Sequence, residues 1–262
     1  MTFPAPLPRG LAALIEGYRT TRDTVGESGG LIHRLDAPGR PTLFLKQGEG
    51  RVATDIADEY ARWRWLQRYL PAPPLIAFVE EAGGAWLLSA ALSGTPAHGW
   101  IAANPARRAD AVRRMARYLR RLHALATDTC PFNAALPIRL AAARANIDAG
   151  LVPEDEFDDA RAGWSAERVW DHLHELLPID AQPVVTHGDY SLDNIFLDEA
   201  GDVTGVIDLG RLGVADRYQD LAILLNCLNE FDVALGPVLF DAYGEAPDAR
   251  RTEVHLLLDE LF

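Results

Sequence analysis

Apolar positions fall in short strand-like runs around one helical stretch up to about residue 93, and from about residue 105 they recur mainly at helical spacing. Segments 25–35 and 42–47 flank the turn-rich Ala37-Pro38-Gly39-Arg40-Pro41, which predicts a hairpin with a loop longer than two residues. Between 54 and 69, Ile56, Trp63 and Leu66, continued by Leu70, predict a helix that Pro71, Pro73 and Pro74 then stop. A second hairpin is expected from 75–79 and 86–89, turned through Glu81-Ala82-Gly83-Gly84.

The stretch Leu92-Ser93-Gly94-Thr95-Pro96 has no periodicity, so a boundary is expected near residue 93. Residues 1–93 then form a β-rich N-terminal lobe, residues 89–96 a hinge, and residues 97–262 a larger, mainly helical lobe, an α+β chain as a whole. Val112, Met115, Leu119 and Leu122 predict an amphipathic helix over 107–125, with an Arg-rich opposite face read as solvated. Further helices are expected at 138–149, 165–177, 216–230 and 248–261, and short β segments at 183–186, 194–198 and 203–207.

Composition narrows the function. A net charge of −13 argues against a nucleic-acid-binding protein, because phosphate backbones are gripped by an excess of Lys and Arg. No run of about 18 apolar residues occurs, and the first residues lack the basic flank and apolar stretch of a secretory signal, so a cytoplasmic protein without membrane association is expected. Cys130 and Cys227 have no disulfide or zinc spacing and read as buried thiols. The acidic excess is confined to the second part: residues 1–93 hold ten basic and ten acidic side chains, residues 94–262 fifteen and twenty-eight. Such a field attracts cations, although it serves solubility equally well. Of the 25 basic residues only Lys46 is a lysine, which suggests a position that needs a compact ammonium.

The chemistry is densest between residues 184 and 210. Here Val-Val-Thr-His187-Gly188-Asp189-Tyr190-Ser191-Leu192-Asp193-Asn194 is followed by Val-Ile-Asp208-Leu209-Gly210. This is the His-x-Asp-x4-Asn spacing of a kinase catalytic loop with a downstream Asp-x-Gly. Phosphoryl transfer needs a carboxylate near the attacking hydroxyl and oxygen ligands that hold Mg²⁺ on the phosphates. Asp189 suits the first role, and Asn194 and Asp208 the second. Lys46 ends an apolar β run, where it could neutralise nucleotide phosphates, and Glu59, thirteen residues on, could pair with it. Gly26-Glu27-Ser28-Gly29-Gly30 is a weaker candidate for a phosphate cover.

Together with Ile207-Asp208-Leu209-Gly210-Arg211 and Ala-Asp216-Arg217-Tyr-Gln-Asp220, this segment resembles the aminoglycoside 3′-phosphotransferases. Thr129-Cys130-Pro131-Phe132 and the ending Leu257-Leu258-Asp259-Glu260-Leu261-Phe262 are also similar to theirs, so the likeness spans nearly the whole chain. It implies a protein-kinase-like two-lobe fold and Mg²⁺-dependent transfer from ATP, with GTP left open, to the 3′-hydroxyl of kanamycin- or neomycin-type drugs. By position it implies Asp189 as the catalytic aspartate, Asn194 and Asp208 as metal ligands, and Lys46, Glu59, Ser28, Ala90 and Leu92 as nucleotide-binding residues. It implies substrate contacts from Asp158, Asp159, Arg211, Asp259, Glu260 and Phe262 with its terminal carboxylate. Asn226 stands where family members often carry Arg, which bears on the range of drugs accepted. A kinase of the same fold acting on another small cationic molecule or antibiotic, and a nucleotide-binding module without catalysis, are the competing readings. Oligomeric state is not addressed by the sequence.

Overall fold

The computed structural model describes residues 7–23 and 30–262. They divide into two compact units: residues up to Gly94 together with Thr204–Gly210, and Thr95–Val203 together with Arg211–Phe262. Asp208 therefore groups with the first unit, whereas a single division near residue 93 places it in the second.

The first unit runs α1 (Arg9–Leu14), β1 (Arg19–Asp23), β2 (Leu31–Asp36), β3 (Leu43–Glu49), α2 (Arg51–Leu66), β4 (Leu75–Glu81) and β5 (Gly84–Ala90). The strands make one antiparallel sheet in the order β1-β2-β3-β5-β4. Strand periodicity explains its two faces. Leu43 and Leu45 of β3 join Leu35, Trp86 and Leu88 in a core closed by Leu11 and Ile15. Phe44, Lys46 and Gly48 have the opposite parity, toward α2, which packs on β3 and β5. Gly48 is required there, because a Cβ would lie 2.8 Å from Val52 Cβ and 3.4 Å from an Ile56 methyl. Ala82 and Gly83, both with positive φ, form the tight two-residue turn between β4 and β5.

The second unit contains β6 (Thr95–Pro96), α3 (Ala97–Ala103), α4 (Arg108–His123), α5 (Leu136–Asp148), α6 (Ala166–Glu175), β7 (Pro183–Thr186) and β8 (Ile195–Leu197). After β9 (Val203–Val206) come β10 (Gly213–Asp216), α7 (Tyr218–Asn229), α8 (Leu235–Tyr243) and α9 (Ala249–Asp259). Val112, Met115, Leu119 and Leu122 of α4 are fully buried, as the helical spacing predicts. The Arg-rich face is more than a solvated surface. Arg107 donates to Glu199 O at 3.1 Å and to Ala200 O, and Arg114 donates to Ala200 O at 2.9 Å and pairs with Asp202 at 2.8 Å. These guanidiniums hold the tight turn that follows β8. Antiparallel pairing of β7 with β10 sets Thr186 against Gly213, and so fixes where the chain enters the 187–194 loop. Ser165 and Asp248 cap α6 and α9 with their side chains. Among the described residues, no helix is long and apolar enough to cross a membrane.

Candidate active site

In the first unit, Lys46 Nζ donates to Glu59 Oε2 at 2.7 Å. The Lys46 side chain is 16% exposed and that of Glu59 5%, so the pair is largely removed from water. Burial works against the ammonium, but the charges of Glu59 and Asp208 outweigh it and hold Lys46 above the usual lysine range. Glu59 also receives a hydrogen bond from the Leu209 backbone. The sole lysine, the helix glutamate and the Asp208-Leu209 segment thus form one electrostatic cluster. Asp208 has φ +57, left-handed backbone that is uncommon outside glycine. Ala90 ends β5, its N–H bonded to Pro74 O at 2.9 Å, and the Leu92 side chain lies near Gly205. Ser28, with Gly26–Gly29, lies outside the described residues.

In the second unit, the loop after β7 is held by hydrogen bonds to its backbone and side chains. Asn194 Nδ2 donates to Asp189 Oδ2 at 2.9 Å and to Asp189 O at 3.1 Å. The amide donor is therefore engaged by Asp189, and the Asn194 amide oxygen is the group suited to a hard cation. The Asp208 carboxylate is likewise a hard oxygen donor, so each residue by its chemistry suits Mg²⁺. Asp220, fully buried at the start of α7, accepts His187 N–H and Gly188 N–H, both at 2.8 Å, and His123 Nε2 lies 2.9 Å from it. Burial alone would raise Asp220; the His123 bond, with the His187 contribution, brings it below the usual aspartate value. Gln219 Nε2 donates to Gly188 O at 2.9 Å. The backbone just before Asp189 is thus fixed from both its N–H and its C=O side.

Four carboxylates of the second unit, Asp158, Glu253, Asp259 and Glu260, gather around three arginines. Arg211 donates to Asp259 Oδ1 at 2.9 Å, and its guanidinium stands 5.1 Å from the Phe262 ring centre. Arg139 lies over the same ring at 5.0 Å and 3.8 Å from Asp259. Burial draws Arg139 down to about 10, with Asp259 as the main opposing charge. Arg161, only 3% exposed, pairs with Asp158, with Glu253 at 2.9 Å and with Glu260 at 3.7 Å. Asp158 N–H donates to Glu260 Oε1 at 3.2 Å. Asp159 beside them is exposed. Asp158 and Glu260 are thus brought together through Arg161, and Arg211, Asp259 and Phe262 form a second group.

The profile of the phosphotransferase enzyme family APH matches residues 26–255. An aminoglycoside 3′-phosphotransferase of Escherichia coli is 46% identical over 254 residues, covering 96% of this chain and 93% of that protein. The chain belongs to the aminoglycoside 3′-phosphotransferase family. A Salmonella typhimurium member is also 46% identical, over 94% of this chain and 91% of its own. In structure, the chain is similar to an aminoglycoside-3′-phosphotransferase of type VIII, with 32% identity, a TM-score of 0.86 and 97% of each chain covered. It is also similar to the phosphotransferase APH(3″)-Id of Streptomyces rimosus in complex with ADP and streptomycin, with 29% identity, a TM-score of 0.83 and coverage of 96% and 95%. The kinase-like fold expected of the family, a β-sheet unit and a helical unit, is the one observed.

Several residues that organise this phosphotransferase chain are absent from the motif-based reading. His123 and Tyr243 brace the 187–194 loop through Asp220 of the quoted motif, Arg161 collects the carboxylates, and Arg139 underlies Phe262. Only a faint signal marked them: a histidine on the otherwise apolar face of α4, and arginines within helix- or loop-forming stretches. Arg251 and His255 likewise converge on buried Asp216, whose burial would raise its pKa while their hydrogen bonds pull it down to about 2.

Proposed function

We propose that the protein transfers the γ-phosphoryl group of ATP to the 3′-hydroxyl of kanamycin- or neomycin-type aminoglycosides and so inactivates them. Full-length similarity to aminoglycoside 3′-phosphotransferases carries this reading. A chemically complete set of transfer groups supports it.

Asp189 is the residue that orients the substrate hydroxyl and accepts its proton. Asn194, bonded to both the side chain and the backbone of Asp189, fixes the direction of that carboxylate. The Asn194 amide oxygen and the Asp208 carboxylate would hold Mg²⁺, which would supply charge neutralisation for the nucleotide's phosphates. Lys46, kept ammonium by Glu59 and Asp208, serves the nucleotide's phosphates, with Ser28 in the covering loop and Ala90 and Leu92 at the base. Whether GTP also serves is a matter for the same assay.

Aminoglycosides are polycations, and the carboxylates of Asp158, Asp159, Asp259 and Glu260, with Phe262 beside them, can read their ammonium groups by charge-assisted hydrogen bonds. Arg211 sets the position of Asp259. Holding one hydroxyl in line for attack can lower the barrier by about 7–11 kcal/mol. The cytoplasm, where nucleotide is supplied, is the proposed compartment.

The test is a mass spectrum of kanamycin after incubation with protein, ATP and Mg²⁺. A single added phosphate is expected, and none on an aminoglycoside lacking the 3′-hydroxyl. Phosphate on that second drug would move the regiochemistry elsewhere, and an unmodified kanamycin would end the proposal.

A further inference from the structure

His123 makes two hydrogen-bond contacts, both buried, and one leads to the catalytic loop. Its Nε2 lies 2.9 Å from Asp220 Oδ2, and its Nδ1 lies 2.7 Å from the hydroxyl of Tyr243. An aspartate carboxylate only accepts, so Nε2 carries the donated proton. In that tautomer Nδ1 accepts, and the Tyr243 hydroxyl donates to it. Burial pushes the Tyr243 phenol up to about 12, so that donor keeps its proton. The Tyr243 ring also meets the His123 ring edge-on at 5.6 Å. The order of donation therefore runs from Tyr243 on α8, through His123 on α4, to Asp220 on α7, where the His187 and Gly188 amides converge on the same carboxylate.

We propose that His123, fixed by Tyr243, is a positioning residue for phosphoryl transfer: by donating to Asp220 it keeps the 187–188 peptides, and hence Asp189, in the reactive orientation. Asp220 is fully buried, and without the imidazole N–H its charge would rest on two backbone donors. A carboxylate that takes up a proton accepts those amides less well. Gly188 then loses its restraint. Its φ of +94 is held against the Arg211 backbone, so a small rotation there re-aims the next residue, Asp189. A histidine placed only to fill the core would need neither the directed bond to Asp220 nor the hydroxyl at its other nitrogen.

The inference rests on Asp189 as the proton acceptor, so the experiment includes a readout independent of turnover. Amide hydrogen exchange over residues 185–190 is measured by mass spectrometry beside steady-state kinetics for wild type, His123→Leu, His123→Gln and Tyr243→Phe. His123→Leu is expected to speed exchange and to lower kcat by about tenfold or more, with KM for nucleotide and for aminoglycoside within about twofold of wild type. His123→Gln, whose amide can still donate to Asp220, is expected to recover most of the loss. Tyr243→Phe, which keeps the ring, is expected to show a smaller change in the same direction and remains informative if His123→Leu does not fold.

Unchanged exchange together with unchanged kcat in Tyr243→Phe and His123→Leu would overturn the proposal. So would equal losses in His123→Leu and His123→Gln at matched thermal stability, since the donor would then be irrelevant. A wild-type protein that phosphorylates no aminoglycoside would remove the functional reading instead, and faster exchange in the variants would still stand as evidence for the brace.

Discussion

The backbone of Arg211 occupies the space where a side chain at Gly188 would begin. A Cβ on Gly188 would come within 2.6 Å of the Arg211 carbonyl carbon and Cβ, and φ at Gly188 is +94. Both facts exclude a larger residue at this position. Gly188→Ala should therefore destabilise the protein by more than about 2 kcal/mol through strain and overlap. Any folded fraction should have lost most of its turnover, because Asp189 follows directly. Chemical denaturation and single-turnover kinetics check this; a stable, fully active Gly188→Ala would show that the 187–189 backbone is not the restraint it is taken to be.

Lys46 and Glu59 offer a test in which stability and activity separate. Removing one member leaves a buried uncompensated charge, at a cost on the order of 3 kcal/mol. Lys46→Met and Glu59→Leu singly should each lower the unfolding free energy, and the double variant should regain much of it. Activity should not return with it, since no ammonium would face the phosphates. A drop in kcat/KM for ATP of about 10² is expected for Lys46→Met and for the double variant alike. Recovery of activity in the double variant would assign the lysine a structural role only.

Much of this was legible in the sequence where chemistry demands a fixed spacing. Asp189 and Asn194 lie five residues apart because one loop must present both, and Lys46 stood out as the single lysine in an arginine-rich chain. The helical spacing of Val112, Met115, Leu119 and Leu122 revealed a buried helix because a long amphipathic face repeats its signal. By contrast α1, with six residues, is too short for helical periodicity to register, and β10, Gly-Val-Ala-Asp, lacks the β-branched run that marks the equally short β7. Long-range polar contacts leave no local pattern at all. Arg161 reaches Glu253 across 92 positions, and His123 reaches Tyr243 across 120. The solvated face expected of α4 holds at Arg113, Arg117, Arg120 and Arg121, which are exposed, while the bonds of Arg107 and Arg114 to the Glu199 and Ala200 carbonyls, 86 to 93 positions away, leave no local signal.

Asp189 itself makes a sharp prediction. Asp189→Asn keeps size and shape but cannot accept the hydroxyl proton, and Asp189→Ala removes the group. Both should cut kcat by a factor of about 10² or more while leaving nucleotide affinity largely intact. Rapid-quench measurement of the transfer step, beside equilibrium binding of a nucleotide analogue, separates the two quantities. Near wild-type transfer by Asp189→Asn would mean that another group takes the proton.

Glu260 supplies a pH dependence with a definite sign. Burial, with the neighbouring Asp158 charge, pushes its carboxyl up to about 7, against the opposing pull of the Asp158 N–H and Arg161. A folded-state value above the unfolded one, about 4.3, means that the native protein holds this proton more tightly. The stability contributed is complete below the unfolded value and is lost as pH rises through about 7. Glu260→Gln should therefore flatten the decline in melting temperature across that interval. The same group affects substrate binding in the opposite direction: an aminoglycoside ammonium prefers the ionised carboxylate, so kanamycin affinity should strengthen between about pH 6 and about pH 8, more steeply in wild type than in Glu260→Gln. Added salt should weaken that affinity in the wild type, because the attraction is between charges at a partly exposed surface. Identical pH slopes for the two proteins, measured by calorimetry in buffers of different ionisation enthalpy, would exclude Glu260 as the titrating group.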